Sequence, residues 1–212
     1  MIKLHGICLS NYYNMAKLSL EEKGLDYEEI EAPPSQESDY KTKSPMGKTP
    51  FIETSEGFIS ESTAILGYLE ALKPTPALLP AEPYARAKVI ELARVLELYI
   101  ELQARRHYGE LFFGGERNQG AFDEVKLVVE NGMNALKQLG SFSPYMAGEN
   151  FSYADIVSAY TFCYAVPVMQ AVYDWDLMSE LPGLQGAIDA THARAAGAKV
   201  ATGHQAALEA FQ

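Results

Sequence analysis

Hydrophobic and polar positions change their period partway along the chain, and the change divides it in two. Residues 3–8 predict a short strand ending at the Gly6 turn. Residues 12–23 place Met15, Leu18 and Leu20 on or near one helical face, and Gly24 ends that helix as a C′ glycine does. Residues 27–31 predict a second strand, broken by Ala32-Pro33-Pro34-Ser35. Residues 49–54 and 57–60 read as a hairpin around Ser55-Glu56-Gly57, and 62–72 as a helix. The order is β-α-β, an irregular loop, then β-β-α, which suits a small mixed sheet covered by helices.

A composition shift follows. Residues 73–83 carry Pro74, Pro76, Pro80 and Pro83, which cannot continue a helix, so this stretch reads as a linker. Pro83 suits the first turn of a new helix with apolar residues at Val89, Leu92, Leu96, Tyr99 or Ile100, and Ala104, running to Gly114-Gly115. Helical runs cover 121–139, 153–172 and 184–195, with a short last one, and no strand pattern appears. The expected fold is an α/β domain over 1–75, a linker over 76–84 and an all-helical domain over 85–212.

Net charge changes the range of partners. Seventeen basic against 28 acidic side chains give −11, which argues against nucleic acid or an anionic membrane surface. Apolar stretches such as 165–169 are far shorter than a membrane span, and the N-terminus lacks a signal peptide's apolar run, so a cytoplasmic protein is expected. Cys8 and Cys163 form no CxxC or zinc pattern, so neither a disulfide framework nor a metal site is expected. Lys41, Lys43 and Lys48 crowd one loop, either as a solvated surface or as an anion site.

Four segments carry candidate chemistry. Ser10 directly precedes the first helix, as an N-cap or as a hydroxyl donor to a bound anion. In Ser44-Pro45-Met46-Gly47-Lys48-Thr49-Pro50, a cis Thr49–Pro50 bond would turn the Thr49 backbone outward to pair with an extended peptide. At Glu61-Ser62 a strand runs into a helix. Ser62 suits a carboxylate and Glu61 an ammonium, which matches the zwitterionic head of an amino acid, although a cap beside a solvated carboxylate gives the same pattern. Ser152 and Asp155 have capping-box spacing, and Phe151 with Ile156 that of a hydrophobic staple, so this segment is structural.

The runs "GICLSNYYNMAKLSLEEKGLDYEEIE", "SPMGKTPFIE", "ISESTAILGYLE", "LLPAEPYARA" and "FSYADI" together resemble the cytosolic glutathione transferase family, in order and over nearly the whole chain. The resemblance implies a thioredoxin-like N-terminal domain, an all-helical C-terminal domain and a homodimer, with Met46 as a candidate inter-subunit knob. It implies glutathione as co-substrate, with Thr49 ahead of Pro50 holding the cysteinyl backbone and Glu61 and Ser62 holding the γ-glutamyl end. Lys48 would add a polar contact. Ser10 matches the family's hydroxyl residue, but Asn11 follows it where a proline is common, and Tyr12 stays open as the alternative. Cys8 lies two residues early for the cysteine-type members, so it reads as a buried structural thiol. The electrophile pocket would draw on Tyr12, Tyr108, Phe112 and Phe113. The expected activity is attack of the bound thiol on small hydrophobic electrophiles. Alternatives are a lyase, peroxidase or isomerase use of glutathione, a non-catalytic binding or regulatory protein, and, more weakly, a disulfide reductase.

Overall fold

Ile2–Gly6 (β1), Tyr27–Glu31 (β2), Phe51–Thr54 (β3) and Gly57–Ser60 (β4) build a four-stranded sheet of order β2-β1-β3-β4, with β1 and the start of β3 the most buried. The computed structural model describes residues 1–211. β1 pairs parallel with β2, and antiparallel pairing joins β1 to β3 and β3 to β4. The crossover between the parallel strands is the helix Asn11–Glu22 (α1), as a parallel pair requires. A four-residue helix, Ser38–Lys41 (α2), interrupts the loop that the sequence left irregular. Ser62–Leu72 (α3) follows the hairpin. Ile2, Leu4 and Ile52 from the sheet pack with Tyr13, Ala16 and Leu20 of α1 and Ile65 and Leu69 of α3 in one buried cluster.

By packing, the chain forms two units: Met1–Leu78 together with the residues from His192 onward, and Leu79–Thr191. These packing units divide the chain differently from the expected functional domains. In the first unit the terminal helix, Ala195–Phe211 (numbered α10 below), lies on α1. Arg194 grips Glu22 with two parallel hydrogen bonds of 2.7 and 2.6 Å, and Lys199 donates to Glu21 at 2.6 Å.

The second unit is built of helices: Pro83–Val95 (α4), Leu102–Ala104 (α5), Tyr108–Phe112 (α6), Gln119–Leu139 (α7), Tyr153–Tyr173 (α8) and Leu184–Ala193 (α9), the last of which runs two residues past the unit's end at Thr191. Glu82 caps α4, with Pro83 in its first turn. The single long helix expected from Pro83 onward is instead broken by a π turn over Leu96–Glu101 and a 3₁₀ turn over Arg105–His107. α7 crosses the π turn at Gly132, where a Cβ would lie 2.8 Å from Ile100 Cδ1 and 2.9 Å from Tyr99 Cβ.

Among the described residues α8 alone qualifies by length and composition as a membrane span, with mean hydropathy 1.3, against the expectation that apolar stretches fall far short of one. Asp155, Ser158, Thr161, Gln170 and its tyrosines interrupt the apolar runs, which hid the property in the sequence. The helix is nonetheless a core element, since 61% of the qualifying stretch is buried.

At its start the Ser152/Asp155 capping box forms. The Asp155 carboxylate accepts from Met146 N at 2.7 Å, Ser152 N at 2.8 Å and Ser152 Oγ at 2.9 Å. Asp155→Ala strands these buried donors and is expected to cost about 2–4 kcal/mol in urea unfolding. Asp155→Asn, which keeps one oxygen acceptor, should recover part of that loss.

Candidate functional site

The turn from β1 into α1 fixes Ser10 on several sides. Its N–H donates to Ile7 O at 2.9 Å, and its Oγ accepts from Tyr13 N at 3.3 Å in N-cap geometry. An N-capping hydroxyl serves as acceptor, so its own proton is left to donate elsewhere. Ser10 is half-buried, as is Tyr12 beside it. The neighbouring phenol is committed differently. Tyr13 is buried and donates to Glu29 Oε2 at 2.5 Å, and Lys17 pairs with the same oxygen at 2.8 Å. Burial, then the Glu29 hydrogen bond, pushes the Tyr13 phenol well above its ordinary pKa, so it stays protonated and occupied. Cys8 is half-buried against the core cluster.

Gly6 permits the close approach of the second segment. A Cβ there would stand 2.2 Å from Thr49 Oγ1 and 2.3 Å from Tyr13 Cδ2. Thr49 Oγ1 donates to His5 O at 3.3 Å, and the Thr49–Pro50 bond is cis. Among the described residues the Thr49 N–H and C=O take no hydrogen-bond partner, so an extended peptide has a donor and an acceptor to meet. The Lys48 side chain is exposed, while its carbonyl accepts from Ser44 Oγ at 2.7 Å.

Glu61 occupies the N-cap position of α3 at φ 69°, a positive-φ conformation that non-glycine residues hold at a cost of about 1–3 kcal/mol and that clusters at functional sites. Its carbonyl accepts the helical bond from Ile65 N, while its side chain is exposed and does not cap. The Ser62 hydroxyl has no hydrogen-bond partner among the described residues. The first turn of α3 holds no acidic side chain, so nothing in it competes with an incoming carboxylate for the helix N–H groups.

In the second unit, Tyr108 and Phe112 stand one turn apart with ring centroids at 5.2 Å. Tyr164 of α8 closes the cluster at 5.7 Å from Tyr108 and 6.2 Å from Phe112. The sequence pointed to the first two rings and missed Tyr164, because an aromatic in an apolar helix carries no sign of which neighbour it faces. Arg105 lies 4.9 Å over the Tyr108 ring. The Tyr108 hydroxyl is buried without a hydrogen-bond partner among the described residues, and burial raises its pKa. Phe113, the fourth expected wall residue, is 71% exposed. The fully buried His107 anchors the turn ahead of α6, with Nδ1 2.8 Å from Glu110 and Nε2 2.8 Å from Tyr173 Oη. Burial pushes the Cys163 thiol pKa up, which makes it a poor nucleophile. Among the described residues no group of three or more His, Cys, Asp or Glu side chains gathers as a metal site would.

Residues 4–77 match the family model described as the glutathione S-transferase N-terminal domain. A glutathione S-transferase of Pseudomonas putida is 38% identical over 211 residues, covering 100% of this chain and 96% of that protein. The maleylacetoacetate isomerase of Rattus norvegicus is 28% identical over 151 residues, covering 68% of each chain. The apo structure of glutathione S-transferase III superposes with a TM-score of 0.76 at 22% identity, covering 95% of both chains. That structural likeness bears on the fold, a thioredoxin-like sheet domain followed by helices.

Proposed function

Because the chain belongs to the glutathione S-transferase family and is a glutathione transferase, we propose that Ser10 activates the thiol of glutathione held by Lys48, Thr49, Pro50, Glu61 and Ser62. The reading rests above all on the Ser10 hydroxyl, which accepts from Tyr13 N and keeps its own proton for a thiolate. The N–H and C=O of Thr49 would pair with the cysteinyl backbone. Ser62 and the α3 N–H groups would take the γ-glutamyl carboxylate, and Glu61 the ammonium. Lys48 would add a polar contact to the tripeptide.

A free thiol has a pKa of about 8.5 and is only a few per cent thiolate at pH 7. A hydroxyl donor and a helix N-terminus that lower it by about two units supply roughly 2.7 kcal/mol, enough to make the thiolate dominant. That thiolate then attacks a small hydrophobic electrophile. Tyr12 is the alternative donor. We place the enzyme in the cytoplasm as a homodimer. Isomerisation with glutathione is a second reading, favoured by the likeness to the rat maleylacetoacetate isomerase.

Calorimetric titration with glutathione, read beside turnover of a generic electrophile, tests the tripeptide site. Ser62→Ala should weaken glutathione about tenfold, as loss of a charge-assisted hydrogen bond does, with kcat nearly kept at saturation. No binding by the parent, or undiminished binding by the variant, would overturn the assignment.

A further inference from the structure

Asn14 is a polar side chain inside the apolar face of α1, only 1% exposed. Both protons of its amide are spent on the turn ahead of the helix. Nδ2 donates to Cys8 O at 2.7 Å and to Ser10 O at 3.0 Å. Asn14 N also donates to Ser10 O, at 3.1 Å, so one residue holds that carbonyl twice. With the Ser10 N–H bound to Ile7 O, the backbone of Ser10 is held at both ends and only the hydroxyl proton is uncommitted. The amide is retained against a penalty. Its Oδ1 is buried and has no hydrogen-bond partner among the described residues, a desolvation cost that an apolar side chain would avoid. Packing alone gives no reason to keep an asparagine there.

The geometry points to Asn14 as the positioning residue that aims the Ser10 hydroxyl at the bound thiolate, a role that rests on the reading of Ser10 above. It touches neither glutathione nor the reacting atoms, and acts by fixing the Cys8 and Ser10 carbonyls. Misplacing a catalytic donor by a fraction of an ångström weakens a charge-assisted hydrogen bond steeply, while leaving the tripeptide's contacts with Thr49, Glu61 and Ser62 in place.

The test is a pH titration of glutathione bound to the full chain, following ultraviolet thiolate absorbance, in the parent, Asn14→Leu, Ser10→Ala and the double variant. Asn14→Leu should raise the midpoint by about one pH unit and lower kcat/KM roughly tenfold below it, with recovery at higher pH. Glutathione affinity should stay within about twofold, because the tripeptide contacts are untouched. In the Ser10→Ala background, Asn14→Leu should add no further shift. Should the leucine variant fail to fold, Asn14→Ser, too short to reach the Cys8 carbonyl, gives the same readout. An unmoved midpoint, even with lowered thermal stability, overturns the positioning role and leaves that of Ser10 standing. An equal shift in the Ser10→Ala background also overturns it, since Asn14 would then act by another route. An unmoved midpoint in Ser10→Ala itself overturns the Ser10 reading, and this inference with it.

Discussion

Ser10→Ala is expected to lower turnover at neutral pH by roughly ten- to a hundredfold while leaving glutathione affinity nearly intact. The hydroxyl proton stabilises the charged thiolate and not the thiol, so its removal raises the pKa of the bound thiol. Below that pKa each unit of upward shift cuts the reactive fraction about tenfold, and above it the thiolate population of variant and parent converges. The variant's pH–rate profile should therefore be displaced to higher pH, with most of the loss recovered in alkali. Loss of the Tyr13 N–H acceptor accounts for only about 1 kcal/mol of stability, which urea unfolding separates from the kinetic effect. Activity retained in Ser10→Ala but lost in Tyr12→Phe would move the role to Tyr12.

The largest stability effect is expected at Lys23, the C-cap of α1, which is wholly buried. Its ammonium donates to Lys73 O at 2.8 Å and Pro76 O at 2.9 Å, and pairs with Glu70. Glu70 Oε1 in turn accepts from Leu78 N at 2.9 Å, so the two side chains bind the chain between α3 and Leu78 to the first unit. Lys23→Ala leaves a buried carboxylate and two carbonyls without their cation, at a cost of about 3–5 kcal/mol. Removing both charges, as in Lys23→Met with Glu70→Gln, should recover part of the loss, because the desolvation of two ions disappears with their attraction. A Lys23→Ala variant within about 1 kcal/mol of the parent in urea unfolding would mean that water reaches these groups.

Lys23 also marks a limit of legibility. The prolines of residues 73–83 identified a segment that cannot be helical, but did not tell that its first half is held by a buried lysine. The same holds for Glu29 and Tyr164, whose partners lie on other elements. A buried asparagine in an amphipathic helix leaves a weak trace in the sequence, since it interrupts the apolar face; a Tyr–Glu pair sixteen positions apart leaves none.

Local chemistry was readable wherever a residue acts on its own neighbours. Gly24 ends α1, Pro83 opens α4, Ser10 caps α1 and Ser152 with Asp155 starts α8, each through contacts within a few residues. A period of 3.6 likewise fits the helix α3, because the core selects side chains by face. The sequence by itself thus determined the strand order along the chain, the sheet domain followed by helices and, through its ordered motifs, the family. Tertiary structure alone decided that Tyr13 is occupied by Glu29 while the Ser10 proton is uncommitted, that Tyr164 completes the ring cluster, and that the long helix breaks into a π turn where Gly132 crosses it. The physical reason is range. A cap or a period is settled within one turn of chain, whereas the state of a buried polar group depends on whichever distant residue the fold brings to it.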